Sequence, residues 1–230
     1  MTKKHSNLVK GHFDSEYKDY DKLIRKLIPN YDDMHKMVVD NLMFPRDSKL
    51  RILDLGIGTG ETALHILEKF PNAKIDGIDI SDKMMITAKN RLKEYKNQVK
   101  FLQGDITELN FDSGYDAVIS VMCIHHLNPQ EKKDLFKKIY NSLKKEGVFV
   151  IGDIIKFDTN KKTKERENEW KGFLKSNFSD KEARYWFANY EEEDLPDSTK
   201  NQLKWLKEAG FERARSLWEY MNYAVFLGRK

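Results

Sequence analysis

Residues 51–70 read RILDLGIGTGETALHILEKF: an apolar run, then glycines at 56, 58 and 60, then apolar residues at helical spacing. Glycine directly after a buried strand has two uses: it turns at backbone angles other residues avoid, and it removes the Cβ that would block a ligand. The stretch therefore reads as strand, ligand-facing turn and helix. Outward from it, the apolar pattern predicts further strands at 74–79, 98–102, 115–121 and 147–154, with the first at 50–55. Helices are expected between them at 60–69, 82–95 and 129–143. Alternation of this kind predicts a parallel sheet covered on both faces. AVISV and VFVIGDII are almost wholly apolar, as strands buried on both sides should be. Gly147 in KKEGVF and Pro71–Asn72 in FPNAKI read as the helix stops.

The flanks have a different texture. SEYKDYDKLIRKLI places Tyr17, Tyr20, Ile24, Leu27 and Ile28 on one helical stripe over 14–28, and Pro29 breaks it before a second helix at 31–43. Residues 158–194 read as a charged helical insert that carries Trp170, Phe173, Phe178, Tyr185, Trp186, Phe187 and Tyr190. A capped helix ending at Gly210 follows, then two strands close enough in sequence to pair antiparallel. The organisation expected is one domain: an N-terminal helical cap over 1–45, a core over 46–157, an insert or lid over 158–196, and a final helix with a strand pair over 197–230.

Composition narrows the partners. The 41 basic and 37 acidic side chains are interleaved, as in KKTKERENEWKGFLK, rather than grouped into a basic stripe, which argues against a nucleic-acid partner. No apolar run has the length of a membrane span, and the N-terminus lacks the apolar segment of a secretory signal. A single cysteine, Cys123, leaves no internal disulfide and no zinc-spaced pair. The expectation is a cytoplasmic protein without a structural metal, with a homodimer left open.

The turn alone admits two ligand classes. A dinucleotide fold spaces its glycines G-x-G-x-x-G, the third for close helix packing, and Glu61 stands where that glycine would be. Carboxylates at successive strand ends add to the other side. Asp79 ends the second strand, where an acid can accept the hydroxyls of an adenosine ribose; Asp105 ends the third unit and Ser120 the fourth. All fall on the rim where open α/β sheets bind ligands.

At this point LDLGIGTG, GIDIS, GDI, YDAVIS and LKKEGVFVIGD resemble, in order and spacing, the successive signatures of the class I S-adenosylmethionine-dependent methyltransferases. The resemblance implies a Rossmann-like α/β fold with a seven-stranded, mostly parallel sheet and an antiparallel last strand, helices on both faces, N-terminal helices and a helical insert. It implies S-adenosyl-L-methionine as cofactor. Gly56, Ile57 and Gly58 would pass the methionine and ribose part; Asp79 would hold the ribose hydroxyls, with Ile80 against the adenine. Asp105 would accept from the adenine amino group with Ile106 beside it, and the Ser120 backbone would contact the methionyl end. Asp54 is open between a water-mediated contact to the cofactor and a loop-orienting role, and Asp116 reads as structural.

KLIPNYDDMHKMV and DSTKNQLKWLKEAGF resemble the carboxy-S-adenosylmethionine synthases and their small methyltransferase relatives. By that likeness Tyr31 would lie over the cofactor and Arg184 would match an arginine that meets the cofactor's carboxylate side. CIHHL places His125 and His126 beside the expected methyl, and likeness to phosphoethanolamine methyltransferases would pair His126 as base with Tyr17 or Tyr20. The function expected is in-line methyl transfer to a small-molecule acceptor. The alternatives are a tRNA-modification enzyme of the synthase type and a non-catalytic cofactor-binding partner subunit.

Overall fold

The computed structural model describes residues 3–16 and 19–230. Strands β1 (Arg51–Leu55), β2 (Lys74–Asp79), β3 (Val99–Gln103), β4 (Tyr115–Val121) and β5 (Leu143–Lys156) pair in parallel. The two-residue β6 (Asp197–Ser198) pairs the end of β5, and β7 (Arg215–Tyr220) and β8 (Tyr223–Arg229) complete the sheet. The order is β3-β2-β1-β4-β5-β8-β7, with β8 antiparallel to both of its neighbours. The sheet is the Rossmann-like one expected, with the dyad β6 added.

Each strand feeds both faces because successive side chains alternate. On one face Ile52, Ile75, Ile119 and Val150 pack under helices α2 (Tyr20–Leu27), α3 (Tyr31–Asp40) and α4 (Glu61–Lys69). On the other, Leu53, Val118, Phe149 and Phe226 pack under α6 (Pro129–Ser142) and α9 (Thr199–Ala209). Strand order reverses between β1 and β4, so the crevice at their carboxyl ends is the topological switch point. The glycine loop opens onto it.

Several boundaries differ from the sequence reading. Helix α1 runs over Lys3–Glu16, upstream of the single 14–28 helix expected, and α2 begins separately at Tyr20. Helix α6 stops at Ser142 and β5 begins at once; the left-handed residue is Glu146 (φ 63°), not Gly147. The insert is two helices, α7 (Asn160–Asn177) and α8 (Asp180–Glu193), separated where Ser179 caps the second through a reciprocal bond with Glu182. Helix α5 (Asp82–Arg91) begins as read and stops short of the 82–95 expected, a 3₁₀ turn over Lys93–Tyr95 following it; the left-handed Gly210 stop after α9 lies as read. Among the described residues no helix is long and apolar enough to cross a membrane.

Candidate functional site

The crevice over the switch point holds a cleft. Its floor is the glycine loop. Gly56 has φ +78°, and a Cβ there would lie 2.6 Å from Cys123 Sγ, so neither the turn nor the packing admits a side chain. Gly58 is also left-handed (φ +54°), but a Cβ on it would meet only the Gly56 carbonyl at 3.9 Å. The space that Cβ would fill faces the cleft: it is free for a ligand to approach the backbone.

Carboxylates ring this floor. Asp79, at the end of β2, accepts from Gly58 N–H and Ser81 N–H, both at 2.8 Å, which ties the loop after β1 to the loop after β2. Burial pushes its carboxyl up to about 6, partly offset by those amides. Asp54, beneath the loop, is buried with Oδ2 unpartnered; burial first, then the nearby Asp79, raise it to about 8. Asp105 holds its own turn through Thr107 N–H and Oγ1 at 2.8 and 2.7 Å. Among the described lining residues there is no lysine or arginine. A cleft of this charge is suited to a cationic nucleoside.

Asp54 yields a pH prediction. Its folded value (about 8) lies above the ordinary 3.8, so the folded protein binds this proton more tightly than the unfolded chain. Stability without ligand should therefore fall as pH rises from about 4 to 8, and Asp54→Asn should flatten that slope in denaturant melts. A slope unchanged by the substitution would show that Asp54 does not carry the buried proton.

Most of the sequence-derived residues gather here. Tyr20, Tyr31, Gly56, Ile57, Gly58, Asp79, Ile80, Asp105, Ile106 and His126 all line the cleft. Ser120 does not. It is fully buried in the ladder opposite Ile151, and its Oγ donates to Leu55 O at 2.9 Å. The strand runs on through Val121 before a left-handed turn at Met122 (φ 52°), and Val121, Met122 and Cys123 line the cleft in its place. Arg184 is exposed on α8 and lines neither this cleft nor its neighbour. Asp116 lies in the first half of β4 and accepts from Arg51 N–H and Lys144. Tyr17 lies outside the described residues.

Residues that sequence reasoning missed include Val9 and Phe13 on α1, His35, Thr62 and Met84. Val9 and Phe13 are four apart on one helical face, the only local signal of their role. Helices α1 and α2 are clipped to the floor by polar contacts: Ser81 Oγ donates to Asp14 at 2.6 Å, Thr59 Oγ1 to Asp21 at 2.7 Å, and Arg25 pairs with Glu61.

A second cavity adjoins the first and shares Phe13, Tyr20, Met122 and His126 with it. Trp170, Trp186 and Tyr190 of the insert line it, whereas Tyr185 is exposed. The aromatics of the insert also pack on one another, Trp170 lying 5.1 Å from Tyr190 and 5.7 Å from Phe187 between ring centroids. Phe13 meets both Tyr20 and His126 edge-on at 5.9 Å, so it packs against each member of the suggested pair. Burial, then Asp79 and Asp21, hold the Tyr20 phenol far above its ordinary value, as a proton donor.

Comparison with known proteins bears on the class. A family model described as a methyltransferase domain matches residues 52–147, from β1 to the start of β5. Over that stretch the chain is similar to methyltransferase domains. A carboxy-S-adenosyl-L-methionine synthase of Nautilia profundicola is 26% identical over 95% of this chain and 94% of its own length. Among solved structures, a protein of Nostoc punctiforme described as a putative O-methyltransferase superimposes with TM-score 0.67 at 16% identity, covering 95% of this chain and 60% of that one. Human N-acetylserotonin methyltransferase, solved with S-adenosylmethionine, gives 0.63 at 19% identity, over 94% of this chain and 56% of that one. The methyltransferase cofactor is S-adenosylmethionine, and the acidic, Cβ-free floor is chemically suited to its sulfonium and ammonium groups.

Proposed function

We propose that the protein transfers the methyl group of S-adenosylmethionine to a small-molecule acceptor bound in the second cavity. The supporting observation is the shared wall: Phe13, Tyr20, Met122 and His126 border both spaces, so a molecule in one meets a molecule in the other across His126. In this reading Asp79 holds the ribose hydroxyls, Ile80 and Ile106 flank the adenine, Asp105 faces its amino group, and Tyr31 covers the methionine part. The bound sulfonium supplies an electrophilic methyl group.

The chain's own task is then mainly geometric. Orienting two reactants in contact can supply about 7–11 kcal/mol, against a factor of about 10²–10⁴ from a general base. The apolar chamber of Ile24, Leu27, Ile28, Ile154 and Trp170 excludes water and positions the acceptor. His126 is the base, needed where the nucleophile carries a proton. The single cysteine and interleaved surface charge support a cytoplasmic setting.

The synthase reading is favoured by relatives of that name matching almost the whole chain. It needs a cation for the carboxylate, and Arg184, the residue that the resemblance suggests for that role, is exposed and lines neither cavity. One experiment separates the two: mass spectrometry of the ligand retained on purification, followed by turnover with methyl-labelled cofactor and metabolite pools. Labelled acceptor and S-adenosylhomocysteine are expected, with cofactor affinity unchanged in Arg184→Ala. Retained carboxylated cofactor, lost in Arg184→Ala, would transfer the protein to the synthase class.

A further inference from the structure

The wall between the two cavities is backed by a chain of four side chains. Asp153, on β5, is fully buried and bonds His125 Nδ1. His125 Nε2 lies 3.5 Å from Asp194 Oδ1, and the same oxygen lies 3.2 Å from His126 Nδ1. His126 Nδ1 is also 3.2 Å from the Glu193 carbonyl oxygen, while His126 Nε2 is buried with no hydrogen-bond partner. The hydrogens can be assigned from the core outward. Burial lowers His125's affinity for its proton, but Asp153 and then Asp194 outweigh it, so its value is raised. An ionised carboxylate only accepts, so Asp194 Oδ1 is an acceptor toward both rings. A carbonyl can only accept, so His126 Nδ1 faces two acceptors and must carry the proton itself.

We propose that Asp194 is a positioning residue for His126: with the Glu193 carbonyl it fixes the proton on Nδ1 and leaves Nε2 as a bare acceptor in the wall between the cavities. This rests on the reading that the acceptor occupies the second cavity. In the step it serves, the acceptor's O–H or N–H bond breaks and its proton passes to Nε2. The electron pair left on the nucleophile bonds the methyl carbon, and the carbon–sulfur pair returns to sulfur. The imidazolium so formed faces the Asp194 carboxylate, the arrangement by which a buried acid orients a catalytic histidine elsewhere.

The strap that carries Asp194 is held on both sides. Leu195 N–H donates to His125 O at 2.8 Å, Lys132 Nζ bonds Leu195 O and lies 2.8 Å from Asp197, and Asp197 pairs with Ile155 of β5. Asp194 is thus anchored to the histidine turn itself and to α6, not only to the insert.

The test is ¹⁵N NMR of histidine-labelled, ligand-free protein, with His126 assigned by His126→Gln. Wild type should show one neutral tautomer, with the proton on Nδ1. In Asp194→Asn the amide can donate to Nδ1, and the Nε2–H tautomer should appear; Asp194→Ala should show both. An Nε2–H tautomer in wild type would overturn the proposal, as would a single Nδ1–H tautomer in both variants, because the carbonyl would then suffice. Zinc provides the other arm, since His125, His126 and Asp194 offer ligand atoms within 4.8 Å of one another. One zinc per chain retained after dialysis, and lost in Asp194→Ala, would make Asp194 a ligand and sink the positioning role. The tautomer is read without cofactor or acceptor, so failure to find an acceptor leaves this result standing by itself.

Discussion

Asp79→Ala should weaken S-adenosylmethionine and S-adenosylhomocysteine binding about 10²–10⁴-fold in calorimetry. The carboxylate makes two 2.8 Å bonds to backbone N–H groups of two different loops, and in the proposed site it also accepts from the ribose. Hydrogen bonds to a charged group contribute about 1.5–3 kcal/mol each, and each 1.4 kcal/mol is about tenfold. Loss of the two sugar contacts alone gives the range stated, and release of the glycine loop adds to it. Asp79→Asn, which keeps one acceptor oxygen, should fall between. Parent-like affinity in the alanine variant, with the fold intact by circular dichroism, would remove the nucleoside from this rim.

Lys132→Met is the variant with the largest expected effect on stability. The side chain is fully buried, its ammonium bonding Asp197 and the Leu195 carbonyl. Removing one partner of a buried ion pair strands the other charge and costs about 3–5 kcal/mol. For a chain of this size that corresponds to roughly 6–20 °C in Tm. Lys132→Met combined with Asp197→Leu should recover most of the loss, because neither charge is then left without its partner. If the single and double variants melt alike, desolvation of Asp197 is not the cause. The same lysine fixes the strap bearing Asp194, so the single variant should also disturb the His126 environment.

The core of the fold was legible because its evidence is local. Ile52 and Leu53 go to opposite faces by simple alternation, and LGIGTGE carries its own turn chemistry. Asp79 and Asp105 follow their strands directly, so finding the strand ends finds them. The end of β4 at Val121 lies as read, but Ser120 stands inside the strand, one residue before that end and two before the turn at Met122. The pleat then directs its hydroxyl to Leu55 O and away from the cleft.

Other parts were hidden because only distant contacts single them out. Asp194 sits in the acidic run EEED, which reads as a solvated face, and nothing nearby announces two histidines about 70 residues upstream. Lys132 belongs to QEKKDLFKK, where any lysine reads as exposed, yet its methylenes pass through the core to reach Asp197. Helix α1 has only Val9 and Phe13 to mark its buried face, spaced within a charged segment. In each case the signal is a tertiary partner, and no local pattern contains it.

Phe13 and Tyr20 stand in the walls of both cavities, on helices clipped to the cofactor loop. Filling either space therefore sets rings that the other space must also fit. With the acceptor in the second cavity as proposed, the two ligands would be energetically linked: whatever factor the nucleoside added to the acceptor's affinity, the acceptor would return to the nucleoside. Loss of the methyl from sulfur would then change one occupant of that shared wall and with it the hold on its companion.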